Sequence, residues 1–188
     1  MEEALRKKDI PYRIYGGLSF YQRKEIKDLL GYFRMVINPN DEEALKRIIN
    51  YPKRGIGNTT LDKLFLAANQ HDKSVWGVLE NPVNYGLQLS SAVLNKMFSF
   101  REMISTFSQM VENTNAYELA SRIASTSGIL KELYADKTVE GVSRYENIQE
   151  LLSAIKEFSE NDVVPEGVDI PTNEDDRSLS NYMKDIAL

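Results

Sequence analysis

Residues 51–60 of the chain read Tyr51-Pro52-Lys53-Arg54-Gly55-Ile56-Gly57-Asn58-Thr59-Thr60. They contain a Gly-x-Gly turn (residues 51–57) between two amphipathic helical patterns. The glycines at 55 and 57 permit a positive φ and let a ligand approach the backbone without meeting a Cβ, while Ile56 between them can point inward. Such a turn is expected to be rigid and to present its backbone N–H groups to an anion.

The residues on either side of the glycines favour the same chemistry. Lys53 and Arg54 place two cations before the turn. After it, Asn58 or Thr59 is expected to cap a helix with unpaired N–H groups in its first turn, where partial positive charge favours a phosphate. The alternative is a purely structural role, in which the glycines only connect two helices. No Gly-Lys-Ser/Thr follows them, so the stretch is not a nucleotide P-loop.

Upstream, residues 41–50 form an apolar-periodic segment that Pro52 ends. The order of helix, Gly-x-Gly turn and helix is that of a helix-hairpin-helix, an element that contacts the DNA backbone without reading bases. The turn therefore predicts sequence-independent DNA binding.

Composition removes several classes of chemistry. Among 188 residues there are no cysteines and one histidine, so thiol catalysis, cysteine-ligated zinc and histidine-rich metal sites are excluded. A Ser-His-Asp arrangement would have to use His71, which is expected at an exposed helix end. We expect no catalytic residue and no metal site. No apolar run approaches about 18 residues and the start lacks a signal peptide, which predicts a cytoplasmic protein with no membrane partner.

Charge is divided unevenly along the chain. Residues 1–63 hold 13 Lys/Arg and 9 Asp/Glu, a balance of +4, whereas residues 64–188 hold 10 and 19, a balance of −9, and the two sum to the net charge of −5. A basic first third that carries the turn is typical of a one-sided DNA contact. The alternative is a chance distribution of solvated charges.

Apolar periodicity predicts a mainly α, multi-helix fold. Trp76 and the Met/Phe stripe of residues 89–111 are expected in the core, and Ser143-x-x-Glu146 is expected to open a long helix as a capping box. One short N-terminal strand at 10–15 precedes Gly16-Gly17. Residues 159–176, rich in acids and prolines, predict a disordered acidic loop.

The chain resembles the UvrD, PcrA and Rep helicases of superfamily 1 over nearly its whole length. The matching runs are Ile10-Pro11-Tyr12-Arg13-Ile14-Tyr15-Gly16-Gly17, Phe20-Tyr21-x-Arg23-Lys24-Glu25-Ile26-Lys27-Asp28, Tyr32-Phe33-Arg34, Asn38-Pro39-Asn40-Asp41, Arg47-Ile48-Ile49-Asn50-x-Pro52-x-Arg54-Gly55-Ile56-Gly57, Thr60, Ser143-Arg144-x-Glu146-Asn147-Ile148-x-Glu150-Leu151 and Leu179-x-x-Tyr182-Met183.

The resemblance implies a piece of an ATP-driven 3′→5′ DNA helicase, namely the 2B subdomain inserted in the second RecA-like motor domain. Residues 1–17 would be a stub of motor domain 2A, and residues 18–188 would be 2B. The hinge about which 2B rotates would lie at Gly16, Gly17, Ile186 and Ala187. ATP and Mg²⁺ would belong to the parent enzyme, because the Walker and arginine-finger motifs are absent from this chain.

The resemblance also assigns duplex DNA contacts to Arg54, Gly55, Ile56 and Gly57. Their neighbours Lys53, Asn58, Thr59 and Thr60 complete the expected DNA-binding set. A second hypothesis is a protein-interaction module that docks on the missing motor domains or on a repair partner without measurable DNA binding. The strand at 12–15, having lost its sheet, is expected to be disordered or to pair with a second copy of the chain.

Overall fold

The computed structural model describes residues 18–160 and 177–186 and is mainly helical, as predicted. Within those residues there is no strand. The predicted strand, Gly16, Gly17, Ala187 and most of the acidic loop lie outside them. The helices are α1 (Leu18–Tyr21), α2 (Lys24–Ile37), α3 (Glu42–Ile48), α4 (Asn58–Gln70), α5 (Val75–Glu80), a 3₁₀ helix (Pro82–Tyr85), α6 (Ser91–Met110), α7 (Ala116–Thr126), α8 (Ile129–Ala135), α9 (Val139–Glu160) and α10 (Leu179–Lys184).

Helix α2 is the centre of the fold. It packs against α3, α6, α7, α9 and α10, and Tyr32 and Phe33 are completely buried. A Cβ on Gly31 would lie 2.8 Å from the Ile48 side chain, so glycine is what lets α3 approach α2 this closely. The turn that leads into α4 therefore follows a helix pair, α2 and α3, that is packed into the core.

Two carboxylates on α2 hold neighbouring helices. The Asn147 side chain on α9 donates to Glu25 at 2.7 Å, and Arg47 on α3 donates to Asp28 at 2.8 Å. Both carboxylates are buried. Because a buried carboxylate needs hydrogen-bond donors, these pairs fix how α3 and α9 sit on α2.

The long apolar stripe is in the core, as predicted. Phe100, Ile104 and Phe107 of α6 are buried, and Trp76 is 8% exposed. His71 ends α4 at an exposed position. No helix in the described ranges is both long and apolar enough to cross a membrane.

Several helix boundaries differ from the sequence patterns. Apolar residues recur with a helical period over residues 20–37, but the structure breaks this segment between α1 and α2 at residues 22–23. The predicted capping box at Ser143 is wrong, because α9 begins four residues earlier. Thr138 is the residue that opens α9: its hydroxyl accepts from the Gly141 N–H at 3.0 Å. Helix α9 also continues to Glu160, so its last two residues overlap the predicted acidic loop.

Candidate nucleic-acid interface

The Gly-x-Gly turn connects α3 to α4 and is anchored by a buried side chain. Ile56 is completely buried, as predicted, and Lys53 is exposed. Gly55 has a φ of +80°, whereas Gly57 has an ordinary φ of −77°. Only the first glycine therefore uses conformational freedom, and Gly57 instead caps α4.

The N–H groups inside the turn are already occupied. The side-chain oxygen of Asn50 accepts from the backbone N–H groups of Arg54, Gly55 and Ile56 at 2.9, 3.0 and 3.2 Å. The expectation that these groups are open to a ligand is therefore wrong. The amide of Asn50 stands where an anion would otherwise sit, and it makes the turn rigid without one.

The side chain of Arg54 points back into the protein. Its guanidinium donates to the carbonyl of Ile48 at 2.9 Å and to that of Tyr51 at 3.2 Å. It also reaches the Ser127 carbonyl at 3.4 Å and lies 5.2 Å from the centre of the Phe100 ring. A cation at the carbonyl end of α3 is favourable. Arg54 thus joins the turn to α6 and to the α7–α8 connection, and its expected contact with DNA stays a prediction.

Tyr32 of α2 completes this network. Its hydroxyl accepts from the Arg54 guanidinium and donates to the Tyr51 carbonyl. Burial raises the pKa of Tyr32, and the charge of Arg54 opposes that shift. Burial, together with the charge of Asp28, raises the pKa of Tyr51 to about 12. Both phenols therefore stay neutral near pH 7 and act as hydrogen-bonding groups.

The free N–H groups lie at the start of α4. The cap is Gly57, which has no side chain to accept a bond, so the expectation that Asn58 or Thr59 caps the helix is wrong. In the described part of the chain, no acceptor meets the backbone N–H groups of Asn58, Thr59 or Thr60. Gly57, Asn58 and Thr59 are exposed. This end of a 13-residue helix is therefore open to an anion.

A second turn lies against the first. The Ser-Gly turn (residues 127–128) connects α7 to α8, and Gly128 has a φ of +90°. A Cβ on Gly128 would lie 3.6 Å from the Pro52 ring. The Arg54–Ser127 bond and this contact hold the two turns together.

Sequence reasoning missed three residues of this region: Asn50, Lys96 and Ser127. Asn50 carried a weak signal, since Asn before a glycine turn often bonds nearby backbone N–H groups. The other two reach the Gly-x-Gly turn only through the fold. Among the described residues, no group of acids and histidines could hold a metal ion.

Comparison with known proteins identifies the family of the chain. The family model of the UvrD-like helicase C-terminal domain matches residues 1–187. The ATP-dependent DNA helicase PcrA of Staphylococcus epidermidis strain RP62A is 37% identical over 188 residues, which is all of this chain and 24% of the relative. PcrA of Staphylococcus aureus strain Mu50 is 36% identical over the same span. The chain thus spans about a quarter of the length of these relatives, and it belongs to the UvrD-like helicase C-terminal domain family.

Proposed function

We propose that this chain is a non-catalytic module of a DNA helicase, of the 2B type, that binds duplex DNA through its phosphates. The observation that carries the proposal is the exposed start of α4, where three consecutive N–H groups have no acceptor in the described structure. Relatives named as ATP-dependent DNA helicases make DNA the natural source of the anion. Because the groups involved are backbone groups, the contact would carry no sequence preference.

The charges around the turn support an anionic partner. Residues 50–61 contain no acid and include Lys53 and Arg54. Lys53 is exposed and has no carboxylate partner among the described residues. The two terminal nitrogens of the Arg54 guanidinium already donate to backbone carbonyls and to the Tyr32 hydroxyl, so Arg54 contributes mainly its charge. In the proposed site Lys53, Gly57, Asn58, Thr59 and Thr60 face the DNA, while Arg54, Gly55 and Ile56 hold the turn in shape.

A duplex titration with the variant Thr59→Glu tests the proposal. An acid in the first turn of a helix stabilises the helix by roughly 0.3–1 kcal/mol, so this variant should stay folded. The same acid would repel a phosphate at the N–H groups. We expect the chain to bind a labelled duplex with a Kd of roughly 10⁻⁴–10⁻⁶ M and to bind more weakly as salt is added. The variant should bind at least about tenfold more weakly.

Gln109→Glu is the matched control. It makes the same change of charge at an exposed residue near the far end of α6. Its duplex affinity should equal that of the original chain, and circular dichroism should show all three proteins folded. If Thr59→Glu binds the duplex as tightly as the original chain does, the assignment of the site to the start of α4 is contradicted.

The finer domain assignment follows from the family and is also a proposal. Residues 1–17 would belong to motor domain 2A and residues 18–188 to 2B. The hinge would lie at Gly16, Gly17, Ile186 and Ala187, and Ile186 directly follows the last turn of α10. Rotation about this hinge would regulate unwinding by the parent enzyme, which would use ATP and Mg²⁺.

A second function, docking on the motor domains, is favoured by three exposed apolar side chains near the connection between α8 and α9. Tyr134, Val139 and Val142 are 63%, 89% and 45% exposed. The Tyr134 ring packs edge-on against Tyr145, which ties α8 to α9. A pull-down with the motor domains tests this function. Docking predicts capture that Val139→Asp abolishes and Thr59→Glu leaves unchanged, and no capture would refute it.

A further inference from the structure

A cleft of about 400 Å³ opens beside the Gly-x-Gly turn. It lies between the turn, the middle of α6 and the end of α7. Its lining includes two cations, Arg54 and Lys96, and no Asp or Glu. The remaining residues are neutral, among them Asn95, Ser99, Thr126 and Phe100. A cleft with two positive charges and no acid has a positive potential, which favours an anion.

Lys96 lies directly against the turn. A Cβ on Gly55 would come within 2.7 Å of the Lys96 ammonium nitrogen, so the ammonium occupies space that only a glycine leaves free. Lys96 is exposed, and no carboxylate in the described part of the chain lies within ion-pair distance of it. Its three N–H donors are therefore available to a ligand.

The two cations of the cleft differ in what they can offer. The terminal nitrogens of Arg54 donate to the Tyr32 hydroxyl and to carbonyls that include those of residues 48, 51 and 127, so the guanidinium supplies mainly a fixed charge to the cleft. Lys96 supplies both charge and donors at its mouth. Asn95, Ser99 and Thr126 add neutral amide and hydroxyl donors from two helices. A charged amine with neutral donors beside it favours an oxyanion as the ligand.

We propose that this cleft binds one phosphate of the nucleic-acid backbone, with Lys96 as its charged ligand. The inference rests on the proposed duplex-binding function and adds to it a contact from α6, separate from the start of α4. Two phosphate contacts from different elements fix the orientation of the backbone, which a single contact leaves free.

The experiment compares Lys96→Gln with Lys73→Gln in titrations of a labelled duplex at several salt concentrations. Lys73 is exposed just beyond the far end of α4, about 20 Å from the turn along the helix. Loss of one phosphate contact should lower the salt dependence of log K by about 0.9 and weaken binding about eightfold near 0.1 M salt. Lys73→Gln should behave like the original chain.

Lys96→Gln binding like Lys73→Gln, or binding more weakly with an unchanged salt slope, would overturn the inference. If Thr59→Glu weakens binding in the same assay, the proposed function stands while the cleft assignment falls. If the original chain does not bind the duplex at all, both fall. A separate titration with inorganic phosphate at constant ionic strength distinguishes the source: phosphate binding that depends on Lys96 without any effect on duplex binding would refute a nucleic-acid site.

Discussion

The Gly-x-Gly turn and the Ser-Gly turn lie side by side, and each joins two helices through a glycine with positive φ. Their supports differ. The side-chain support of the Ser-Gly turn is local, since the Ser127 hydroxyl donates to the Ala124 carbonyl and accepts from the Ile129 N–H, both at 3.3 Å. The Gly-x-Gly turn has a local support in Asn50 and, in addition, the side chains of Arg54 and Tyr32, which connect it to distant parts of the chain. A turn with long-range supports keeps its shape relative to the whole fold, which suits the proposed contact with a rigid duplex.

Removing the Arg54 side chain should cause the largest loss of stability, because it removes the long-range support of the Gly-x-Gly turn. Arg54→Ala leaves several carbonyls without a donor, and the free energy of unfolding should fall by about 2–4 kcal/mol. Arg54→Lys should recover only part of it, because an ammonium lacks the planar fork. Urea denaturation measures the change. Arg122→Ala, which removes an exposed pair with Glu118 on α7, is the control and should cost less than about 1 kcal/mol.

The next largest loss of stability is expected on removing the Asn50 side chain. Asn50→Ala would leave three N–H groups without an acceptor, and the expected loss of stability is about 2 kcal/mol. Asn50→Asp keeps an oxygen acceptor and should be close to the original chain. In the Ser-Gly turn, Ser127→Ala removes two long bonds and should cost about 1 kcal/mol. Equal losses for Asn50→Ala and Ser127→Ala in thermal unfolding would show that the two turns do not differ in their supports.

The two positive-φ glycines allow a closely matched pair of variants. Gly55→Ala and Gly128→Ala should each lose roughly 1 kcal/mol of stability, the cost of a left-handed conformation with a Cβ. They should differ in duplex binding, because a Cβ at 55 displaces the Lys96 ammonium, whereas a Cβ at 128 makes only ordinary contact with Pro52. Fluorescence anisotropy of a labelled duplex should show weaker binding for Gly55→Ala alone. Weaker binding by both variants, or by neither, would contradict this account.

The last effect is absent near neutral pH and appears only at alkaline pH. The folded protein holds the pKa of Tyr51 at about 12, above its ordinary value of 10.0, so the folded state binds the phenolic proton more tightly than the unfolded state. The stabilisation is present below pH 10 and is lost as the pH rises from 10 to 12. Melting temperatures across this range should fall less steeply for Tyr51→Phe than for the original chain. Parallel curves would show that Tyr51 does not titrate as inferred.

Much of this region could be predicted from the sequence because local patterns determine it. The helices on both sides of the turn and the inward side chain of Ile56 follow from apolar periodicity and glycine spacing. The start of α4 was misplaced because Asn58 and Thr59 are good capping residues, yet the backbone turns one residue earlier, at Gly57.

The supports of the turn could not be predicted in the same way. Ser127 lies 73 residues from Arg54, and Lys96 meets Gly55 only because α6 packs beside the turn. Arg54, next to a Gly-x-Gly motif, has the sequence signature of a ligand-binding cation. Only the fold shows that backbone carbonyls take up its donors.

An NMR titration of the amide-labelled chain with duplex DNA tests most directly whether the DNA binds at the start of α4. We expect the backbone N–H signals of Asn58, Thr59 and Thr60 to shift with the bound fraction. Those of Arg54, Gly55 and Ile56, which bond to Asn50, should shift much less. Duplex binding that leaves the amides of residues 58–60 unperturbed would contradict binding at this end of α4.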